Sequence, residues 1–481
     1  MLKSEPAAVF TAMTGRAWGV LAVLSGAIFL EGVDVAMLNV ALPSIRAELG
    51  LSTAMLSGVV SAYVLGYGGF VLLGGRAADL LGRRRMFLFW LTVFLVFSGL
   101  GGFATTGWML LTARFVTGIA AAFMAPAGLS LITTNYADGP VREKALLVYA
   151  GVAAGGFSLG MVVGGLLTAL GWRWVFFVPV LVSAVLLAAA IVLVRDSGAP
   201  RNVTEGRAGR FDVVGTLSVT AAMLLLVYGV VRLEHPSEMP GLTAGVFAAG
   251  LAVLALFVWN ERRSAAPLVR LGILRSANLV RINLVAVLFI GSFMGFAFLV
   301  TLYFQELRGW STVQTGLAMA VMGLDALLAP LLTPWLVRKF GNTRVIFGGV
   351  LTALLAYALF LPTDLDRAYL AMLPTMLLLA VAFAMVYGPL TIAGTEGVGE
   401  EEHGLAGGLL YTAIQFGAAL GISAVTAVNV AATGTGGSAM DGLRTALIVP
   451  AAAAALGAVI AATGVRRNAT AVAPELAFAQ V

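Results

Sequence analysis

The chain has 481 residues, 60% of them hydrophobic and 11% charged, with a formal net charge of +6 and no cysteine. A soluble domain carries about 25% charged residues, so this composition excludes an ordinary soluble enzyme. It describes a polytopic membrane protein, with apolar sequence for about 14 spans of about 20 residues each.

The missing cysteines exclude disulfides, thiolate metal sites and a cysteine nucleophile. His235 and His403 both read as loop residues, which leaves no buried histidine for a triad or a metal cluster. None of the three lysines follows a glycine, so a Gly-Lys-Ser/Thr phosphate-binding loop is absent. No enzyme activity, cofactor, metal or nucleic acid is expected. Uphill movement of a solute would draw on an ion gradient. The positive charge reads as membrane-face bias. No cleavable signal peptide is expected, because the first apolar run lacks a small-residue cleavage site before a soluble region.

The first span, about 18–43, carries two acids, Glu31 and Asp34, and an amide, Asn39. A charge at the bilayer centre costs about 2.5–3.5 kcal/mol on insertion scales. The acids stand at i and i+3, so they share one helical face. That face must point into protein or a water-filled cavity. Here it is expected to line a transport pathway and hold a proton or a substrate cation. The alternative is that one acid is paired with a buried arginine for structure. The second span, about 53–74, offers Tyr63 and Tyr67 to such a cavity. The loop GGRAADLLGRRRM (Gly74–Met86) precedes the third span, about 86–104. The fourth, about 108–132, contains Arg114, which needs a partner; a span-one carboxylate is the obvious one. The fifth, about 143–169, has Gly156, Gly160, Gly164 and Gly165 at helix-packing spacing, with Phe157 as a cavity residue.

The sixth span, about 174–194, leads into a polar stretch from Asp196 to Arg210. Spans seven and eight, about 212–232 and 240–260, precede a basic connector with Arg262, Arg263, Arg270 and Arg275. The last six are about 279–304, 314–336, 344–362, 368–394, 404–430 and 442–464, and the tail after Arg467 reads as disordered. Span ten places Asp325 at membrane depth ahead of Pro330, a second cation or proton site by expectation. Phe293, Tyr387, Tyr411 and Gln415 are further cavity candidates, since aromatic faces bind flat or cationic organics. Individually each serves packing as readily.

Fourteen spans put both termini on one side. With both termini cytoplasmic, 22 of the 29 Lys and Arg fall inside, six outside and Arg114 within a span. The positive-inside rule therefore fixes the orientation. A weak repeat supports two halves: ADLLGRRRMF (Ala78–Phe87) and VRKFGNTRVIF (Val337–Phe347) match at Gly82/Arg85 and Gly341/Arg344. Repeated six-span halves are a hallmark of one class of secondary transporter. The expected domains are 1–195, a six-helix bundle; 196–275, connectors with two inserted helices; 276–465, a second six-helix bundle; and 466–481, a cytoplasmic tail.

These residues bring the chain to a known family. It resembles the major facilitator superfamily, and within it the 14-span drug:proton antiporters, from Leu30 to about Ala424. Gly75, Asp79, Gly82, Arg83, Arg84 and Arg85 match the superfamily's second-loop signature. By resemblance, Asp79 and the arginines form a cytoplasmic charge latch; a plain basic loop is the alternative. LLTARFVTGIAAA (Leu110–Ala122) resembles the arginine motif, with Arg114 and Gly118. GFSLGMVVGG (Gly156–Gly165) resembles the antiporter motif, with Met161 in place of the usual Pro. DVAMLNVALP (Asp34–Pro43, with Ala36 for the usual Thr), WRWVFFVP (Trp172–Pro179) and RFDVVG (Arg210–Gly215) favour the 14-span branch.

The resemblance implies an all-α membrane fold of two pseudo-symmetric six-helix bundles plus two inserted helices. It implies a monomeric antiporter of the cytoplasmic membrane that exports hydrophobic, cationic or amphipathic drugs against protons. Glu31, Asp34 and Arg114 would couple protons. The glycines and the basic loop would govern the conformational switch. A dedicated exporter of one antibiotic or metabolite, a lipid flippase and a non-transporting sensor are the alternatives.

Overall fold

The computed structural model describes residues 9–51, 53–137, 139–195, 213–232, 240–264, 271–394, 396, 398, 403–434 and 438–478. The connector 196–212 and its arginines, His235 and Arg270 lie outside the described residues, as do the side chains of Asp79 and Phe157. The described residues are mainly helical: α1 (Gly15–Leu49), α2 (Thr53–Leu81), α3 (Arg83–Gly102), α4 (Gly107–Asn135), α5 (Pro140–Leu170), α6 (Trp174–Leu193), α7 (Val213–Arg232) and α8 (Pro240–Arg263) come first. Then follow α9 (Ala277–Leu302), α10 (Thr312–Met319), α11 (Asp325–Phe340), α12 (Asn342–Phe360), α13 (Tyr369–Ala393), α14 (His403–Gly434), α15 (Ala439–Ala446) and α16 (Ile448–Phe478). Among the described residues, eleven helical stretches are long and apolar enough to cross a membrane. Three shorter apolar stretches, Gly58–Val71, Leu159–Leu170 and Leu217–Leu226, lie in α2, α5 and α7.

Two compact units result. The first gathers α1–α8 and α10, the second α9 and α11–α16. Within the first, 72% of the apolar window of α1 and of α4 is buried, against 28% for α6. The acid-bearing and arginine-bearing helices are thus the inner ones, and α6 is peripheral. Helix α7 packs against α2, through Leu224 on Gly69, and against α8.

Helix ends follow local chemistry. Thr14 caps α1, its hydroxyl accepting from the Ala17 N–H at 3.2 Å, and a Ser311–Gln314 capping box opens α10. Gly82 and Gly341, the repeated glycines, have φ of +98° and +78° and stand at the N-caps of α3 and α12. A side chain there would be strained, so the repeat marks two equivalent helix breaks.

Several expected boundaries are corrected. Span one does not stop at Pro43; α1 runs through it to Leu49. The stretch read as a loop from Gly74 is helix to Leu81, because alanines and leucines carry the helix on until Gly82 breaks it. Gly75 therefore sits inside α2 and makes no turn. Span ten is broken: a 3-10 stretch, Ala320–Leu324, containing Gly323, separates α10 from α11. The tail past Arg467 is helical to Phe478, and His403 is the first residue of α14 rather than a loop residue.

Candidate functional site

The first unit brings three helices together around the span-one acids. On α1, Glu31 and Asp34 are both buried, Asp34 with 2% exposed and Glu31 with 9%. Arg114 on α4 is equally buried, and its Nη1 donates to Asp34 Oδ2. The partner expected for a membrane-embedded arginine is therefore an acid of span one, and it is Asp34 rather than Glu31. Tyr63 on α2 lies flat enough against this pair for the Arg114 guanidinium carbon to sit 4.4 Å from its ring centroid. Ion pair and cation–π contact together compensate a charge held away from water.

Glu31 stands apart from the pair. Its Oε2 accepts no hydrogen bond among the described residues, and neither Tyr63 Oη nor Arg114 Nε has a hydrogen-bond partner among them. Tyr67, fully buried, adjoins the Glu31 carboxyl. Its ring centroid lies 6.1 Å from that of Tyr63. Buried polar atoms are normally satisfied, so this cluster holds unspent hydrogen-bonding capacity in one place. Its charge is also unbalanced. With both acids ionised, Glu31, Asp34 and Arg114 sum to one negative charge. One proton, or one bound cation, cancels it.

The packing that assembles the cluster is written in small residues. A Cβ on Gly118, one turn beyond Arg114, would strike the Tyr63 backbone carbonyl. Only glycine lets α4 approach α2 closely enough to lay Tyr63 on Arg114. On α5, Gly156, Gly160 and Gly164 face Phe29, Val33 and Met37 of α1, with added Cβ atoms falling 2.6–2.8 Å from their backbones. Those α1 residues flank Glu31 and Asp34. Gly165 instead faces Thr312 of α10, at 3.2 Å from its carbonyl oxygen.

Other expected residues are placed differently. Asn39 donates one of its two amide hydrogens to the Val35 carbonyl of its own helix at 3.1 Å. Among the described residues Arg84 pairs with no acid. Its Nε and Nη2 donate to the carbonyls of Val194 and Ile191, at 2.6 and 3.0 Å, and cap the end of α6. Arg83 is half-buried and Arg85 exposed.

In the second unit, Asp325 is 1% exposed and is the first residue of α11, just after the helix break. Phe293 and Tyr387 belong to an aromatic row with Phe289 and Phe383. Phe383 lies 4.7 Å from Phe293 and stacks on Tyr387 at 5.2 Å and 13°. Phe289 and Phe383 were missed in the sequence, although each stands four residues before an expected one, the spacing of helix neighbours. Tyr411 is buried and Gln415 half-buried on α14. In the first unit, Trp90 stacks on Phe123 at 4.3 Å, and its indole N–H has no acceptor among the described residues. No spacing in the sequence signals that pair, since the rings come from separate helices.

Comparison with known proteins gives a consistent result. Residues 24–422 match the Major Facilitator Superfamily. The chain is 35% identical to the cephamycin export protein CmcT of Amycolatopsis lactamdurans, over 89% of this chain and 88% of that one. It is 34% identical to the puromycin resistance protein pur8 of Streptomyces alboniger, over 87% and 83%. The crystal structure of the human organic anion transporter MFSD10 superposes with a TM-score of 0.66 at 16% identity, covering 93% of this chain and 100% of that one.

Proposed function

Since the chain belongs to the major facilitator superfamily and is therefore a small-molecule transporter and not an enzyme, we propose that it exports antibiotic-like drugs in exchange for protons. The observation that carries this reading is the charge count of the buried cluster. Asp34 is held by Arg114, Glu31 is not, and the set lacks one positive charge. A proton and a cationic or amphipathic drug compete to supply it. In the cytoplasm-facing state Glu31 releases its proton and the drug's positive group takes its place against Tyr63 and Tyr67. In the outward state an incoming proton displaces the drug. Protonation of Asp34 would free Arg114 and so couple the exchange to the helix packing around it.

The export direction is supported by relatives named for antibiotic export or resistance. The fourteen-span topology is supported by eleven membrane-length helices and the three shorter apolar stretches of α2, α5 and α7. Cytoplasmic termini follow from the positive-inside distribution of Lys and Arg. Asp325 and the aromatic row of the second unit are proposed as further drug contacts.

A second reading is export of a single antibiotic. It is favoured by relatives that each carry the name of one compound, cephamycin, puromycin or lincomycin. A drug panel in cells lacking other pumps, with and without a protonophore, decides. Resistance to several unrelated cationic drugs that collapses with the protonophore supports the main reading. Resistance to one compound supports the second. Protonophore-insensitive efflux overturns proton exchange.

A further inference from the structure

At the end of the first unit that carries the N terminus, the segment ahead of α1 is strapped down. The Phe10 N–H donates to the Asn135 carbonyl at 2.7 Å, and the Ala137 N–H returns to the Phe10 carbonyl at 3.0 Å. Phe10 packs on Tyr136, with ring centroids 5.4 Å apart, and the Tyr136 hydroxyl donates to the Ala17 carbonyl at 2.6 Å. The strap borders a half-open cavity of about 220 Å³ between the segment 9–14 and the adjoining ends of α1, α4 and α6.

Two guanidiniums line this cavity, Arg16 and Arg195, and among the described residues no carboxylate does. Arg16 is anchored by one nitrogen, Nη2, which donates to the Leu193 carbonyl at 3.1 Å. Its remaining N–H groups make no hydrogen bond among the described residues. Arg195 is exposed and has no acid partner among them. Neutral polar lining comes from Thr11, Thr14 and Asn135. Two guanidiniums that no acid of the described residues pairs with make a site for a phosphate or another oxyanion, which arginine grips through paired N–H donors.

The surroundings select the source of that anion. Along α6, Leu181, Val185 and Val192 are 61%, 69% and 75% exposed. Their spacing puts them on one helical face, and this peripheral apolar stripe ends beside Leu193, a wall of the cavity. A free phosphate has no use for the stripe. A phospholipid has, because its acyl chain lies along the stripe when its headgroup reaches the arginines. We infer that this cavity is a binding site for an anionic phospholipid, its phosphate between Arg16 and Arg195, in the leaflet that this end of the bundle faces. The site is separate from the Glu31–Asp34–Arg114 cluster, and lipid retention is read without transport, so failure of one reading leaves the other standing.

The test is native mass spectrometry of the full chain in mild detergent, with phosphatidylglycerol and phosphatidylcholine of the same acyl chains. The wild type is expected to retain phosphatidylglycerol preferentially. Arg195→Gln, which removes no hydrogen bond of the described fold, should lower that preference about fivefold, and Arg16→Gln/Arg195→Gln about thirtyfold. Arg262→Gln, exposed on the last turn of α8, should leave it unchanged. Should the double variant fail to fold, Arg195→Gln decides alone. Equal retention of the two lipids by the wild type overturns the inference, as does an equal loss in Arg262→Gln. Displacement of phosphatidylglycerol by millimolar inorganic phosphate also overturns it, since it would show a site for the free anion.

Discussion

At the scale of single residues, the question is which of two neighbouring acids does what. Asp34 is paired with Arg114, and Glu31 faces tyrosines. Asp34→Asn keeps an acceptor for Arg114 while removing the titratable group. It should abolish drug-evoked proton movement in acid-loaded vesicles and leave a monodisperse, folded protein on gel filtration; wild-type rates would remove Asp34 from the mechanism. Arg114→Ala does something else. It strands a carboxylate that is 2% exposed, and breaking a buried pair from one side costs about 3–5 kcal/mol. Its signature is a lower melting temperature with expression reduced. Glu31→Gln should reduce transport of cationic drugs selectively over neutral ones, measured side by side in the same vesicles. Equal loss for both classes would assign Glu31 to coupling alone. The sequence exposed these acids because charge in an apolar run is costly and therefore conspicuous. It could not say which acid Arg114 takes, because that depends on how α4 is rotated and how far along α1 it crosses.

At the scale of helices, glycine spacing sets what can touch. Gly118 stands against a backbone carbonyl that no rotamer change can move aside. Gly118→Val should cost at least the about 1–3 kcal/mol of an overpacked core, lower the melting temperature and lose transport, because Tyr63 is pushed off Arg114. Gly245→Ala in α8, where nothing lies within 4 Å of an added Cβ, should stay within about 0.5 kcal/mol. Thermal unfolding of the pair separates close approach from mere glycine content. The helix break at Ala320–Leu324 belongs to this scale too. Its only sequence sign is Gly323, since apolar side chains continue on either side, and hydropathy reads composition and not hydrogen-bond pattern. Short 3-10 stretches inside long helices often mark hinges, and this one stands directly before Asp325.

At the scale of the whole molecule, topology is the testable quantity. The absence of cysteine makes the chain a ready background for single-cysteine labelling. Cysteines placed at Ser4 and Thr204 should react with an impermeant maleimide only from the cytoplasmic side, and one at Asp366, exposed between α12 and α13, only from outside. Labelling of Ser4 from outside would reverse the orientation that the Lys and Arg distribution implies. What the sequence alone determined was whatever follows from local composition: a membrane-embedded helical chain, its repeated glycine breaks, its family, and the acids and arginine that water could not reach. What only the tertiary structure decided was every pairing across helices. Asp34 with Arg114, Glu31 with Tyr67, Phe383 between Phe293 and Tyr387, and the strapped cavity at Arg16 and Arg195 all join residues distant in the chain. Their meeting is set by helix rotation and approach, which a linear string of residues does not encode locally.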